Sequence, residues 1–264
     1  MRRYILCTLF ILPFSLFAQV NPGPRITALG LTGVAVQDTW SLQANQAGLT
    51  AQKKFTIATA YETELFNPEL SKQSLLIIYP NKRNVFGISF QNYGFSVYNE
   101  QRLGLAYARS FGNISAALNL NYHLISIQQY GSTQAYSVEA GLQYALNDKL
   151  LIGTHLRNPN RSTYDHHINA AIPVSIEFGI SYQISDGLFL NNGITKTLNS
   201  ATDVKGGLEY SMLHWMDLRA GISVNPFRQY LGIGCRYQSL RFDAAVSSHY
   251  ALGYSPQIAL SYEF

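Results

Sequence analysis

The feature that most restricts what this chain can fold into is an alternation of apolar and polar residues that recurs in about fourteen segments of about ten residues each. Between residues 174 and 184, Val174, Ile176, Phe178, Ile180, Tyr182 and Ile184 fall in one phase, and Ser175, Glu177, Gly179, Ser181 and Gln183 fall in the other. Residues 136–146 repeat the pattern, with Tyr136, Val138, Ala140, Leu142, Tyr144 and Leu146 opposite Ser137, Glu139, Gly141, Gln143 and Ala145. A period of two belongs to a strand with one apolar and one polar face, and no helical period survives in either stretch. The segments start near Phe55, Ser71, Val85, Gln101, Ile114, Ala135, Leu150, Val174, Leu188, Asp203, Met216, Tyr230, Leu240 and Gln257. An even number of antiparallel strands lets a sheet close with both ends on one side.

The connections alternate in length. Those at 80–83, 112–113, 147–149, 185–187, 213–215 and 238–239 are tight, whereas those at 63–70, 92–100, 128–134, 158–173 and 250–256 are long, with 199–202 and 225–228 shorter than the rest of that set. A soluble sandwich has no reason to alternate in this way, but a transmembrane barrel does, with its short turns in the periplasm. The expected fold is therefore all-β, a transmembrane antiparallel β-barrel of about fourteen strands.

A bilayer also accounts for the charge. Only 13% of the residues are charged, about half the share in a soluble domain, and mean hydropathy is −0.01. A lipid-facing Arg or Lys at mid-depth costs about 2 to 4 kcal/mol, so charges belong in loops or in the lumen. The polar phases do carry them, at Glu139, Glu177, Lys205, Glu209, Asp217, Arg219, Arg236, Arg241, Asp243 and Glu263. Both signs are present, which implies a lumenal polar network paired within itself. The last segment places Ile258, Leu260, Tyr262 and Phe264 on one face. An alternating strand closing on an aromatic resembles the signal that outer-membrane barrels present to their assembly machinery. Tyr79, Phe111, Tyr144, Trp215 and Tyr237, near the short turns, suit an interfacial girdle. The partners this implies are outer-membrane lipid and the barrel-assembly machinery.

Arg2 and Arg3 precede an apolar run, residues 4–17, which ends at Ala18. These are the parts of a secretory signal peptide cut after Ala18, and the run is too short to span a bilayer. The reading is 1–18 signal peptide, 19–54 N-terminal hatch or plug, and 55–264 barrel, with the product in the outer membrane of a Gram-negative cell. Loss of Arg2 and Arg3 takes the formal charge from +4 to +2, and no clustered basic face marks a nucleic-acid partner. Cys235 is left without an intrachain disulfide partner once Cys7 is removed.

Residues 19–54 are not strand-like. They hold Arg25, Gly30, Gly33 and Asp38, then Asn45-Gln46-Ala47-Gly48-Leu49. This resembles the N-terminal region of the PorV/PorQ-like outer-membrane proteins of type IX secretion, which belong with the FadL-type transporters of hydrophobic compounds. Those sequences run Arg-x-x-x-Gly-Met-Gly-Gly-Ala-x-x-Ala-x-x-Asp and then Asn-Pro-Ala-Gly-Leu. Here Leu31 replaces the Met and Gln46 replaces the Pro, which removes the fixed φ of that turn. The run from Leu252 to Ile258 is similar to the penultimate loop of that family. The resemblance implies a hatch folded into the lumen. It also implies one of two roles: passive transport of small hydrophobic molecules, with the hatch as gate and a wall gap or the lumen as path, or a non-transporting accessory barrel that docks secretion-system proteins.

Enzyme chemistry is poorly supported. Ser247, His249 and Asp243 share a strand phase, but residues two apart on a strand lie about 7 Å apart, which does not favour a nucleophile–base contact. Asp165-His166-His167 sits in the longest loop, where adjacent histidines do not share a face. No phosphate or dinucleotide glycine motif is present. No catalytic residue, cofactor or metal is expected.

Overall fold

The computed structural model describes residues 20–164, 172–249 and 253–264. The signal-peptide reading and the Asp165-His166-His167 run lie outside them. Fourteen strands follow in order: β1 (Thr56–Thr63), β2 (Ser71–Asn81), β3 (Asn84–Gly94), β4 (Tyr98–Phe111), β5 (Ile114–Ile127), β6 (Gly131–Asn147), β7 (Leu150–Arg157), β8 (Ser175–Ser185), β9 (Leu188–Thr197), β10 (Asp203–Leu213), β11 (Met216–Val224), β12 (Phe227–Tyr237), β13 (Leu240–His249) and β14 (Gly253–Glu263). Each pairs antiparallel with its sequence neighbours, and β1 pairs with β14, from Thr56↔Glu263 to Glu62↔Gln257, to close the barrel. The ladder between β7 and β8, flanking the longest connection, runs unbroken from Leu150↔Tyr182 to Arg157↔Ser175. A gap in the wall, one of the two paths expected above, is therefore not present between these strands.

Ten strands begin at or within one residue of the expected position, while β4, β6, β12 and β14 begin three or four residues earlier. All four early starts lie on the loop side. Residues such as Tyr98-Asn99-Glu100 and Ser132-Thr133-Gln134 carry polar groups in both phases, because a strand end beyond the bilayer no longer turns its outer face to lipid. Backbone pairing continues through them, as at Tyr98↔Ile127 and Ile127↔Gly131. The long loops expected at 92–100 and 128–134 accordingly shrink to 95–97 and 128–130. On the opposite side, all six turns have two residues.

The outward phase carries Leu105, Leu118, Leu120, Phe178, Ile194, Ile222 and Leu231, all exposed, and the same holds for Ile258, Leu260, Tyr262 and Phe264 of the last strand and its end. A continuous apolar surface around a closed sheet is the exterior of a barrel that faces lipid, where every backbone group must pair within the wall. Tyr79, Phe111, Tyr144, Trp215 and Tyr237 are also exposed, on the short-turn side.

Candidate functional site: the inner segment and the lumen

Residues 20–54 fill the short-turn half of the lumen. Pro24–Ala28 form a short helix, α1, against β11–β13, and three 3₁₀ turns follow: Gly33–Ala35 against β7–β9, Thr39–Leu42 against β2, and Gln46–Ala51 against β3–β6. The segment thus circles the inside of the wall. Its grip differs between the two sides.

Toward β1–β5 and β14 the contact is mainly apolar, with hydrogen bonds between Ser115 and Thr50 and from Gln91 and Gln257 to Asn21 at its margin. Ile26, Trp40, Leu42, Ala44, Ala47 and Leu49 pack in one cluster with Ala58, Ala60, Leu76, Ile78, Val85, Ala106, Ala108, Ala117 and Ala259. Small inward residues on these strands leave room for Trp40 and the leucines.

Toward β6–β12 the wall meets backbone. Each of these seven strands contributes an inward glycine against the segment: Gly141 against Asn45, Gly153 and Gly179 against Val34, Gly193 against Thr32, Gly207 against Leu29, Gly221 against Gly30, and Gly232 against Ala28. A Cβ at Gly141 would lie 2.0 Å from Asn45 Oδ1, and one at Gly221 would lie 2.1 Å from the Gly30 nitrogen. Gly30 itself has φ +67, and a Cβ there would meet the Gly206 carbonyl at 2.7 Å. Asn45 bridges the two layers: its Nδ2 donates to Val34 O at 2.7 Å and lies 3.2 Å from both Leu142 O and Thr154 O of the wall.

Charge completes the attachment. Arg25 donates in bidentate fashion to Glu209 of β10 at 2.8 and 2.7 Å, and to Asp38 of its own segment at 2.8 Å. Asp38 also caps the Thr39–Leu42 turn through the Trp40 amide. Arg219 carries the network onward, reaching Glu209 at 2.6 Å, Asp243 at 2.7 Å and Asp217 at 3.1 Å. Arg236 lies 2.7 Å from Asp217, and Arg241 lies 3.1 Å from Asp243. Four cations and four carboxylates balance within one cluster.

The lumenal residues expected to form one network fall into separate groups. Glu139 and Glu177 belong to a second cluster on β4–β8. There Glu139 accepts from Arg102 at 2.7 Å, from Asn119 at 3.0 Å and from Gln46 at 2.8 Å, while Arg157 stands 3.6 Å from Glu177. Lys205 joins neither group and donates to Thr195 Oγ1 at 2.9 Å. Self-pairing of the wall charges is thus incomplete, because Arg25, Asp38 and Gln46 of the inner segment supply part of it. Arg102, His155 and Arg157 were missed, although Arg102 sits in the polar phase between Gln101 and Leu103 and the phase rule reaches it.

Gln46 behaves differently from a loosened turn. It is buried, starts the Gln46–Ala51 turn, and holds Leu42 O at 3.2 Å and His155 Nε2 at 3.1 Å besides Glu139. The side chain fixes what Pro would have fixed through its ring. Asp243 of the Ser247–His249 phase is committed to Arg219 and Arg241.

On the loop side of the segment lies a cavity of about 1070 Å³. Cations (Lys72, Arg102, Arg157, Lys205, Arg228) and carboxylates (Glu62, Glu100, Glu139, Glu177, Asp203) line it in equal number. One side is apolar, where Ile125, Ala135 and Tyr164 pack with Tyr98, Ile127 and Ile172. Burial, with Glu100 nearby, raises the Tyr164 hydroxyl above its ordinary pKa.

The chain is thus a closed barrel of fourteen strands with an apolar exterior and a segment folded into its lumen. No family model and no curated protein matches the chain. Solved structures of similar fold include the CymD monoaromatic hydrocarbon channel (14% identity, TM-score 0.69, covering 94% of this chain and 99% of that one). The Ralstonia pickettii toluene transporter TbuX is similar at 12% identity and TM-score 0.70, over 92% of this chain and 98% of that one. A Pseudomonas aeruginosa FadL homologue is similar at 12% identity and TM-score 0.62, again over 92% and 98%. The chain has the barrel fold of these proteins.

Proposed function

We propose that this chain is an outer-membrane barrel, exported by a cleaved signal peptide, that passively admits small apolar molecules from the loop side with residues 20–54 as its gate. The observation that carries this reading is the asymmetric attachment of the inner segment beneath an open cavity. The largely apolar contact with β1–β5 and β14 holds few polar partners to exchange, Thr50 with Ser115 and Asn21 with Gln91 and Gln257, and acts as the hinge. The contact with β10–β13 combines close glycine packing with one bidentate ion pair, Arg25 to Glu209, which water entering from the cavity can replace. A solute first rests on the side formed by Tyr98, Ile125, Tyr164 and Ile172, then passes when α1 leaves Glu209. The likeness to hydrocarbon channels supports an apolar solute, and the unbroken β7–β8 ladder supports a path through the lumen.

The test is uptake of a labelled monoaromatic hydrocarbon by cells with an intact lipopolysaccharide leaflet. Cells making this protein should take it up faster than cells with an empty vector. Equal rates, with the barrel present in the outer membrane, would remove the transport reading.

A second reading, an accessory barrel of PorV/PorQ type in type IX secretion, is supported by the Arg25–Asp38–Asn45 motif and by the balanced charges that hold the segment in place. It predicts recovery of secretion-system proteins in a mild-detergent pull-down and no uptake. In both readings Ile258, Leu260, Tyr262 and Phe264 are the surface offered to the barrel-assembly machinery.

A further inference from the structure

The short-turn rim carries its excess of cations on one sector. Lys53 and Lys54 before β1, Lys82 and Arg83 between β2 and β3, and Arg109 near the end of β4 are all exposed. The ion pair made there is Lys54 with Glu263, at 4.0 Å between partly exposed groups. The turns from β6 to β9 carry Asp148 and Asp186 against the single Lys149, and Arg236 and Arg241 farther round are tied to Asp217 and Asp243.

The basic sector coincides with the rim's aromatic pairs. Phe55 lies 5.3 Å from Phe264 and 6.5 Å from Tyr79, and Phe86 lies 5.4 Å from Tyr107. The Arg109 guanidinium stands 5.2 Å from the Phe111 ring, on the outward phase of β4. Such rings mark the depth of the membrane interface, so the cations just beyond them sit at headgroup level. An uncompensated patch at that depth attracts anionic lipid by about fivefold per cation near the surface.

We propose that this sector, from the residues preceding β1 to the end of β4, binds phosphate groups of anionic phospholipid in the adjoining leaflet. The proposal rests on the membrane-barrel reading above, with the short turns in the periplasm. Lys and Arg donate to the phosphate oxygens while the rings pack on the glycerol and upper chains. The opposite sector, lacking surplus cations, holds zwitterionic lipid without preference. The barrel would thus be oriented in its leaflet by lipid charge.

The test is native mass spectrometry of the full chain released from nanodiscs containing equal phosphatidylglycerol and phosphatidylethanolamine. Wild type should retain phosphatidylglycerol in excess by about threefold or more. The variant Lys53→Gln/Lys54→Gln/Lys82→Gln/Arg83→Gln should fall to near parity, and Lys149→Gln/Lys196→Gln should match wild type. The double variants Lys53→Gln/Lys54→Gln and Lys82→Gln/Arg83→Gln should each lose part of the preference if the quadruple variant folds poorly. Parity in wild type would overturn the proposal, as would a preference that survives the quadruple change. Loss of a co-purifying acidic protein, with lipid retention unchanged, would also overturn it. Heat-dependent gel migration of the same sample separates the two levels. A sample without it refutes the barrel, whereas a migrating barrel without lipid preference refutes only this inference.

Discussion

Replacing Arg25 with alanine should loosen the inner segment while leaving the barrel intact. Arg25 makes three hydrogen bonds to carboxylates, two to Glu209 and one to Asp38, and its side chain is 17% exposed against 5% for Glu209. Breaking a buried pair by removing one partner costs about 3 to 5 kcal/mol when the other is left uncompensated. Here Glu209 keeps Arg219 at 2.6 Å and Asp38 keeps the Trp40 amide. The expected loss is therefore smaller, about 2 kcal/mol, near the value for hydrogen bonds to charged groups. At 1.4 kcal/mol per tenfold change, the detached population rises about 30-fold. Hydrogen exchange reads this directly at the amides of Thr27, Leu29, Gly30 and Leu31, which are held by Gly23, Arg25, Thr27 and Ile26 carbonyls respectively. These four should exchange about 30-fold faster in Arg25→Ala, with amides of the β4–β5 ladder unchanged. Arg25→Lys, which keeps the charge and loses the bidentate geometry, should fall between the two. Unchanged exchange at the four amides would refute the idea that Arg25 latches the segment.

Three further outcomes follow from the packing. Gly141→Ala places a Cβ 2.0 Å from Asn45 Oδ1 and should lower stability by about 1 to 3 kcal/mol in thermal melts of the detergent-solubilised protein, whereas Gly206→Ala, whose nearest neighbours would lie at 3.7 Å or more, should not. Gln46→Pro meets the backbone preference of a first helical position but removes the donors to Glu139 and Leu42, so it should destabilise by about 1 to 3 kcal/mol, measured as a lowered Tm. Asn45→Ala removes the bridge between Val34 and the wall and should raise exchange of the Val36 and Gly48 amides without affecting heat-dependent gel migration.

The wall was legible because its two faces meet different solvents. Wherever lipid lies outside and protein inside, as over 174–184, the alternation is complete, and the strand starts at Ser71, Ile114, Leu150, Leu188, Asp203, Met216 and Leu240 can be read from it directly. Where water lies on both faces, as at Tyr98-Asn99-Glu100, the rule has nothing to act on. The inner segment was legible only through Arg25, Asp38 and Asn45, since its course around the lumen depends on contacts with residues far away in sequence. The glycines of β6–β12 were visible in the polar phase of every strand, yet their partners, from Ala28 to Asn45, appear only when the wall is closed. The division of the charges into an Arg219 group and a Glu139 group depends on which strands adjoin which part of the segment, and no phase argument contains that.

The central claim, that residues 20–54 sit in the lumen and must move for solute to pass, is tested most directly by a reversible lock. A Cβ at Gly193 of β9 would lie 3.8 Å from Thr32 Cγ2 and 3.9 Å from its Cα, close to disulfide spacing. In a Cys235→Ser background, Thr32→Cys/Gly193→Cys should crosslink in the folded barrel, abolish uptake of the labelled hydrocarbon when oxidised, and recover it on reduction. A folded barrel that forms no crosslink would contradict the placement of the segment, and equal uptake in the oxidised and reduced states would contradict its role as gate.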